Sequence, residues 1–328
     1  MAAIPLQPLD RSARPTRRRI FRRPTLGRSA LARTEAKWGL LFLSPWLIGF
    51  VAFTLLPMIA SLVFSVTNLS LEQRQPLRFV GLDNYVAMLS DHTTWDSLAV
   101  TFRFAAFNLP IALVIPFVVA LILNSRYLRG AGIFRTLFFL PYVIPFVSGV
   151  LAWQGMLNLE TGWVNGFLRL LGVQDPPNWL QDTSLIYPSL AFIGLWGIGA
   201  GVIVNLAGLK GIPTELYDAA RIDGAGWWAT LRNVTLPMMS PVIFYSLILG
   251  IVDVLQYFLV PLVLYNGTGE PGGTTLFFNL LLYKQAFNFQ QYAYGATLAW
   301  LLFAITLAIT LVVFRTSRRW VYYAGERS

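Results

Sequence analysis

The chain has no cysteine and a single histidine, His92, in 328 residues. Without cysteine there is no disulfide framework, no thiolate metal site and no thiol nucleophile, and the redox state of the compartment leaves no mark on the sequence. His92 falls in a polar stretch between two apolar runs, where a solvated surface role outweighs that of a ligand or general base. No G-x-x-x-x-G-K-S/T phosphate loop, H-E-x-x-H pair or G-x-S-x-G elbow occurs. The chain is therefore not expected to be an enzyme, to hydrolyse ATP by the phosphate-loop route, or to hold a metal or cofactor. Charge is scarce as well: 12% of residues are charged against 56% hydrophobic. So little polar surface cannot coat a soluble globule, and an all-α integral membrane protein is expected.

A hydrocarbon layer of ~30 Å takes about 20 helical residues to cross. Six apolar runs qualify, at roughly 38–64, 99–123, 134–157, 185–209, 237–262 and 293–314. Six spans put both termini on one side, and the basic residues choose which. Ten lie in residues 1–37, three (Arg126, Arg129, Arg135) follow the second span, three (Lys210, Arg221, Arg232) follow the fourth, and four (Arg315, Arg318, Arg319, Arg327) follow the sixth. Only Arg74, Arg78, Arg169 and Lys284 fall on the other side, with Arg103 near a membrane end. Both termini and the 212–237 loop are thus expected in the cytoplasm. Residues 1–37 are too polar to bury a core and predict a disordered cytoplasmic tail; a nucleic-acid-binding arm is the weaker reading of the same charge, so no nucleic acid is expected as a partner. The apolar run after Lys37 is far longer than the hydrophobic region of a signal peptide. Residues 38–328 are expected to form one transmembrane domain in contact with lipid.

The loop at 212–237, IPTELYDAARIDGAGWWATLRNVTLP, carries Glu215, Asp218, Arg221, Asp223 and Arg232 between two apolar runs. Such a segment cannot lie in hydrocarbon and must fold outside it. Pro213 suits the first position of a helix, and Glu215 and Asp218 follow where the helix dipole favours negative charge. Asp223-Gly224 predicts its stop, with a second short helix over Trp227–Val234 ended by Pro237. The segment resembles the EAA loop of ABC-importer membrane subunits: Glu-Ala-Ala, three residues, Gly, nine residues, Ile-x-Leu-Pro. Here Asp218-Ala219-Ala220 is followed by three residues, Gly224, nine residues and Val234-Thr235-Leu236-Pro237, with Asp218 in place of Glu and Val234 in place of Ile. The resemblance implies that the first helix docks into a cleft on an ATPase subunit, small Ala219 and Ala220 allowing close approach, carboxylates meeting basic partner groups, and Gly224 and Pro237 tying the helix to the bundle.

The resemblance extends outward. Phe79-Val80-Gly81-Leu82-Asp83-Asn84-Tyr85 is similar to the run after the first span in sugar-importer permeases, and Leu280–Phe287 extends the match toward the end of the chain. Asn266–Gly273 is rich in turn residues; a flexible contact surface for a binding protein and a plain hairpin connection are both open readings.

Inside the membrane, Asp253 stands 16 residues beyond Pro237, ~24 Å along the fifth helix. An acidic residue at that depth needs a partner. With Gly250, Gln256 and Tyr257 it forms a polar stripe suited to a substrate path. Arg103, at comparable depth, offers the other reading, a buried ion pair that only fixes packing. Trp153 and Trp196 are candidate stacking surfaces for sugar rings, though aromatic residues are also ordinary membrane core. Gly194, Gly197, Gly199 and Gly201 around Trp196 would either open space there or let helices approach.

The resemblance implies the permease subunit of a binding-protein-dependent ABC importer, multi-pass in a bacterial cytoplasmic (inner) membrane, that translocates an oligosaccharide, a monosaccharide or a glycerol-3-phosphate-like solute. The implied partners are a second homologous permease, an ABC ATPase dimer and an extracytoplasmic solute-binding protein. An importer of a non-sugar solute and an ion-coupled secondary transporter are the alternatives. The scarcity of intramembrane carboxylates disfavours the second.

Overall fold

The computed structural model describes residues 30–71, 76–125 and 128–322. The basic residues before position 30, with Arg74, Arg126 and Arg327, lie outside the described residues. The chain divides into two units, 1–58 and 59–328. In the first, α1 (Ala30–Phe50) starts within the expected tail, so residues 30–37 are helical; it continues through a π-turn at Val51–Leu55 into α2 (Leu56–Ser65), most of which belongs to the second unit.

The second unit is helical throughout, and the one β-bridge among the described residues joins Thr67 to Phe79. After α3 (Asp83–Ser90) comes α4 (His92–Leu123), a 32-residue span containing Pro110 and Pro116. Asp91 caps α4 by accepting from the Thr93 amide at 2.9 Å, which satisfies one of the donors a helix start leaves unpaired. Next are α5 (Ala131–Val143) and α6 (Phe146–Met156), then the short α7 (Trp163–Leu170), then α8 (Ile186–Leu195) and α9 (Gly199–Lys210). The cytoplasm-directed loop of the sequence reading holds α10 (Thr214–Ile222) and α11 (Trp227–Thr230); a π-turn at Leu231–Thr235 leads on into α12 (Leu236–Leu255) and α13 (Leu259–Tyr265). The chain closes with α14 (Phe278–Tyr283) and α15 (Tyr292–Ser317).

Among the described residues four helices are long and apolar enough to cross a membrane, or six if each bent pair counts as one span. The third and fourth spans are the bent pairs, where straight helices were expected. α5 and α6 meet at 100°, because Ile144 precedes Pro145 and is driven to an extended conformation (ψ 133°) that no helix continues. α8 and α9 meet at 61° across Trp196–Ile198. There Gly199 lies so close to α5 that a Cβ would overlap the Phe138 carbonyl.

Two cores follow from this arrangement. In one, Phe104 of α4 packs edge-on against Phe277 (5.2 Å) and Tyr187 (5.6 Å) and tilted against Tyr257 (4.9 Å). Thr101, one turn earlier, accepts the Phe278 amide at 2.8 Å and so fixes the start of α14. In the other, Ala120, Leu123, Val202, Leu206, Leu209, Ile212 and Met239 gather the ends of α4 and α9 and the start of α12 beneath α10.

Candidate functional site

The loop at 212–237 is anchored at its first residue. Ile212 is buried in the second core and Tyr217 of α10 packs on that core, its hydroxyl 3.4 Å from the Thr235 hydroxyl. α10 begins at Thr214, one residue later than its sequence predicts: Pro213 takes an extended ψ of 133° and precedes the helix. Glu215, Asp218, Ala219, Asp223 and Gly224 are exposed and Ala220 is half-buried. Asp218 pairs with Arg221 of the same helix at 2.9 Å, the one ion pair among the described residues.

The end of α10 is a double hydrogen-bonded cap. The Gly224 amide donates to the Arg221 carbonyl (3.0 Å) and the Ala225 amide to the Ala220 carbonyl (2.9 Å), with Gly224 at φ +74°. That conformation is the left-handed one predicted for it. The second half of the loop differs from expectation. Pro237 does not end a short helix: it sits at the first turn of α12, and α11, the π-turn and α12 form one continuous helix from Trp227 to Leu255. The π-turn at Leu231–Thr235 shifts the hydrogen-bond register just before Pro237, so its missing N–H falls where a new α-segment begins. Sequence reasoning passed over the apolar side chains on this loop, Ile222 (87% exposed), Trp227 (73%) and Trp228 (65%). Their signal was a Trp-Trp pair flanked by glycine inside a charged segment.

The intramembrane candidates separate. Asp253 is exposed on α12, and no ion pair joins it to Arg103, which is exposed on α4. The expected polar stripe does not hold as one face, because the helix breaks at Gln256–Phe258, where Phe258 has φ −153°. Tyr257 turns into the aromatic core, 5.1 Å from Phe277. Gly250 packs on Leu109 of α4, where a Cβ would come within 2.8 Å of a leucine methyl. Gln256 is exposed and its carbonyl accepts from the Asn279 amide group at 2.8 Å.

The two tryptophans do come together. Trp153 of α6 is buried and meets both Trp196, at 5.5 Å, and Phe192, at 5.0 Å, edge-on. Trp196, at the α8–α9 bend, is 43% exposed; Trp153 supports it from beneath. Both readings of the surrounding glycines apply, at different positions: Gly194 has nothing within 4 Å of a Cβ and Gly197 only the Gly194 carbonyl at 3.9 Å, whereas Gly199 abuts Phe138 and Gly201 abuts Pro116 at 3.2 Å.

On the far side of the bundle the Phe79–Tyr85 run is a clamp. Asn84 donates to the carbonyls of Ser65 (2.9 Å) and Thr67 (2.7 Å), and Tyr85 bonds the Ser65 hydroxyl at 2.8 Å. The Ser65 carbonyl is one that the end of α2 leaves without a helical partner. The Asn266–Gly273 loop is tied to itself: Glu270 accepts from the Gly272 amide (2.8 Å) and the Thr275 hydroxyl donates to the Glu270 carbonyl (2.6 Å).

The profile of the family described as "Binding-protein-dependent transport system inner membrane component" matches residues 85–324, the whole stretch from the clamp through α15. The chain belongs to this family. It is 34% identical over 301 residues to the probable ABC transporter permease protein YesP of Bacillus subtilis, covering 91% of this chain and 96% of that one. It is 33% identical to the trehalose/maltose transport system permease protein MalF of Thermococcus litoralis, covering 88% and 97%. Among solved structures, a bacterial ABC transporter involved in the import of the acidic polysaccharide alginate superposes with a TM-score of 0.77 at 24% identity, over 89% of this chain and 99% of that one. The fold of this family member is therefore that of an ABC-importer permease, and the chain is a multi-pass membrane protein.

Proposed function

We propose that this chain is one of two permease subunits of an ATP-driven importer for an oligosaccharide or a related small carbohydrate. It lies in a bacterial cytoplasmic membrane, with both termini and the 212–237 loop inside. Its partners are a second homologous permease, an ABC ATPase dimer and an extracytoplasmic solute-binding protein; the chain itself transports and does not catalyse. The observation that carries this reading is α10, an exposed helix rooted in a buried core through Ile212 and Tyr217, flanked by uncovered Ile222 and Trp227. An apolar patch rimmed by Glu215 and Asp223 suits a protein partner rather than water. Close approach over Ala219 and Ala220 supports docking in an ATPase cleft, and the second core would pass its movement to α4, α9 and α12.

The transport path runs along the exposed groups that apolar lipid would disfavour, Asp253, Arg103 and Gln256, with Trp196 as the stacking surface. Exposed charges at membrane depth need a water-filled cavity or another subunit, which a paired permease supplies. Alternating access then shifts populations between states open to either side. The disaccharide in the name of the Thermococcus relative supports a carbohydrate substrate.

The test is reconstitution of this chain with the permease, ATPase and binding protein encoded beside it, assayed against a carbohydrate panel. ATP hydrolysis stimulated by one loaded binding protein, with uptake of its sugar, is the expected result. Uptake driven by an ion gradient without the ATPase refutes it.

A further inference from the structure

The helix α7 is inside out for a helix in water. Trp163, Phe167 and Leu170 recur at i, i+4 and i+7 and, with Leu171, are 79%, 62%, 86% and 66% exposed. The opposite flank carries a wholly buried polar residue, Asn165. Its amide group donates to the carbonyls of Leu159 and Pro177, each at 3.2 Å, and its oxygen accepts from the Trp179 indole at 2.7 Å. The polar side is spent on holding the loop together and the apolar side is left outward.

The height of α7 is fixed at both ends, by the end of the span that precedes it and by the short loop that follows that span. At the start, Gly162 sits so close to the end of α6 that a Cβ would overlap the carbonyls of Met156 and Asn158. Toward the other end, Arg169 donates to the carbonyls of Glu160 (2.9 Å) and Leu159 (2.8 Å). With α5 and α6 counted as one bent span that ends at Met156, α7 lies where the chain leaves hydrocarbon. Tryptophan is enriched at that level, and an amphipathic helix with Trp, Phe and Leu on one face settles into the boundary between headgroups and acyl chains.

We propose that α7 is an interfacial helix that inserts Trp163, Phe167, Leu170 and Leu171 into the lipid boundary on the side of the membrane opposite the 212–237 loop. It holds the end of the bent third span at a set depth while the rest of the bundle moves. The inference does not depend on which solute is carried.

The absence of cysteine makes the test direct. Phe167→Cys, Leu170→Cys and, as a water-facing control on the exposed loop beyond, Asp175→Cys are made singly in the full chain. Each is nitroxide-labelled, assembled with the partner permease and ATPase, and reconstituted in vesicles of phosphatidylethanolamine and phosphatidylglycerol. The expected result is an oxygen-to-nickel-complex accessibility ratio several-fold higher at 167 and 170 than at 175. A ratio at 167 and 170 equal to that at 175 overturns the proposal, because the face then lies in water. Shielding of both labels from both reagents overturns it too, because a protein, whether another subunit or a second copy, then covers the face. Two separate labelled positions guard against local perturbation by either one.

Discussion

Replacing Gly224 by valine isolates a single property of the 212–237 loop. A Cβ at Gly224 would meet nothing within 4 Å, and the same is true at Gly226 two residues on. Crowding therefore cannot distinguish the two sites. Their backbones do: Gly224 has φ +74°, whereas Gly226 has φ −70° and ψ 174°, an extended conformation that suits a β-branched residue. Holding a side chain left-handed costs about 1–2 kcal/mol, and that penalty depletes the capped conformer of the loop by roughly 5–30-fold. What is lost is the pair of hydrogen bonds from Gly224 and Ala225 to Arg221 and Ala220, and with them the angle between α10 and the long helix that begins at Trp227. Because the site is exposed, the expected thermal unfolding midpoint is that of the parent chain. Sugar-stimulated ATP hydrolysis and uptake by the assembled importer in proteoliposomes should fall several-fold for Gly224→Val, remain near normal for Gly226→Val, and be largely kept by Gly224→Asn, since asparagine tolerates the left-handed region. Equal activity of the two valine variants would refute the reasoning.

Three further outcomes are expected. Asn84→Ala removes the donor to the Thr67 carbonyl and leaves the Ser65 carbonyl only the longer bond from the Thr297 hydroxyl at 3.3 Å; it should cost about 1–3 kcal/mol, visible as a lower unfolding midpoint in detergent. Gly199→Ala should destabilise by about 1–3 kcal/mol through overpacking on Phe138, while Gly194→Ala, with open space around it, should leave the midpoint unchanged. Partial burial pushes the Asp91 carboxyl up, but hydrogen bonds from the Thr93 amide and the hydroxyls of Tyr294, Thr93 and Thr94 outweigh it and hold it below its usual 3.8. A depressed carboxylate stabilises the fold above its unfolded value and loses that contribution as pH falls through its folded value. Asp91→Ala should therefore cost about 1 kcal/mol near pH 7, with the difference from the parent chain shrinking steadily as pH falls below about 4.

Much of this architecture was legible in the residues. Apolar runs locate spans because hydrocarbon allows nothing else, and Gly224 declares its own conformation. What periodicity cannot supply is azimuth and continuity. Asp253 and Arg103 share a depth, which suggested a pair, but depth does not say whether two side chains point at each other. Pro237 resembles a helix end in sequence, and only the π-turn before it explains how the helix runs through. The bend at Pro145 was readable from the local rule that the residue before proline turns extended, yet the apolar run through it argued more strongly for one straight span. The outward apolar face of α7 sits in a stretch assigned to an outer loop on length alone, with Asn165 giving no hint that it, and not its apolar neighbours, is the buried residue.

The long helix from Trp227 has a mechanical consequence. Met239 is fully buried and wedged against Gly208, where a Cβ would come within 3.0 Å of its sulfur. This fixed point lies 12 residues from Trp227 and 14 from Asp253, arms of ~18 Å and ~21 Å. A rod pinned near such a midpoint is a seesaw with nearly equal limbs. A push of a given size on the loop end reappears, reversed in direction and slightly enlarged, at the height of Asp253.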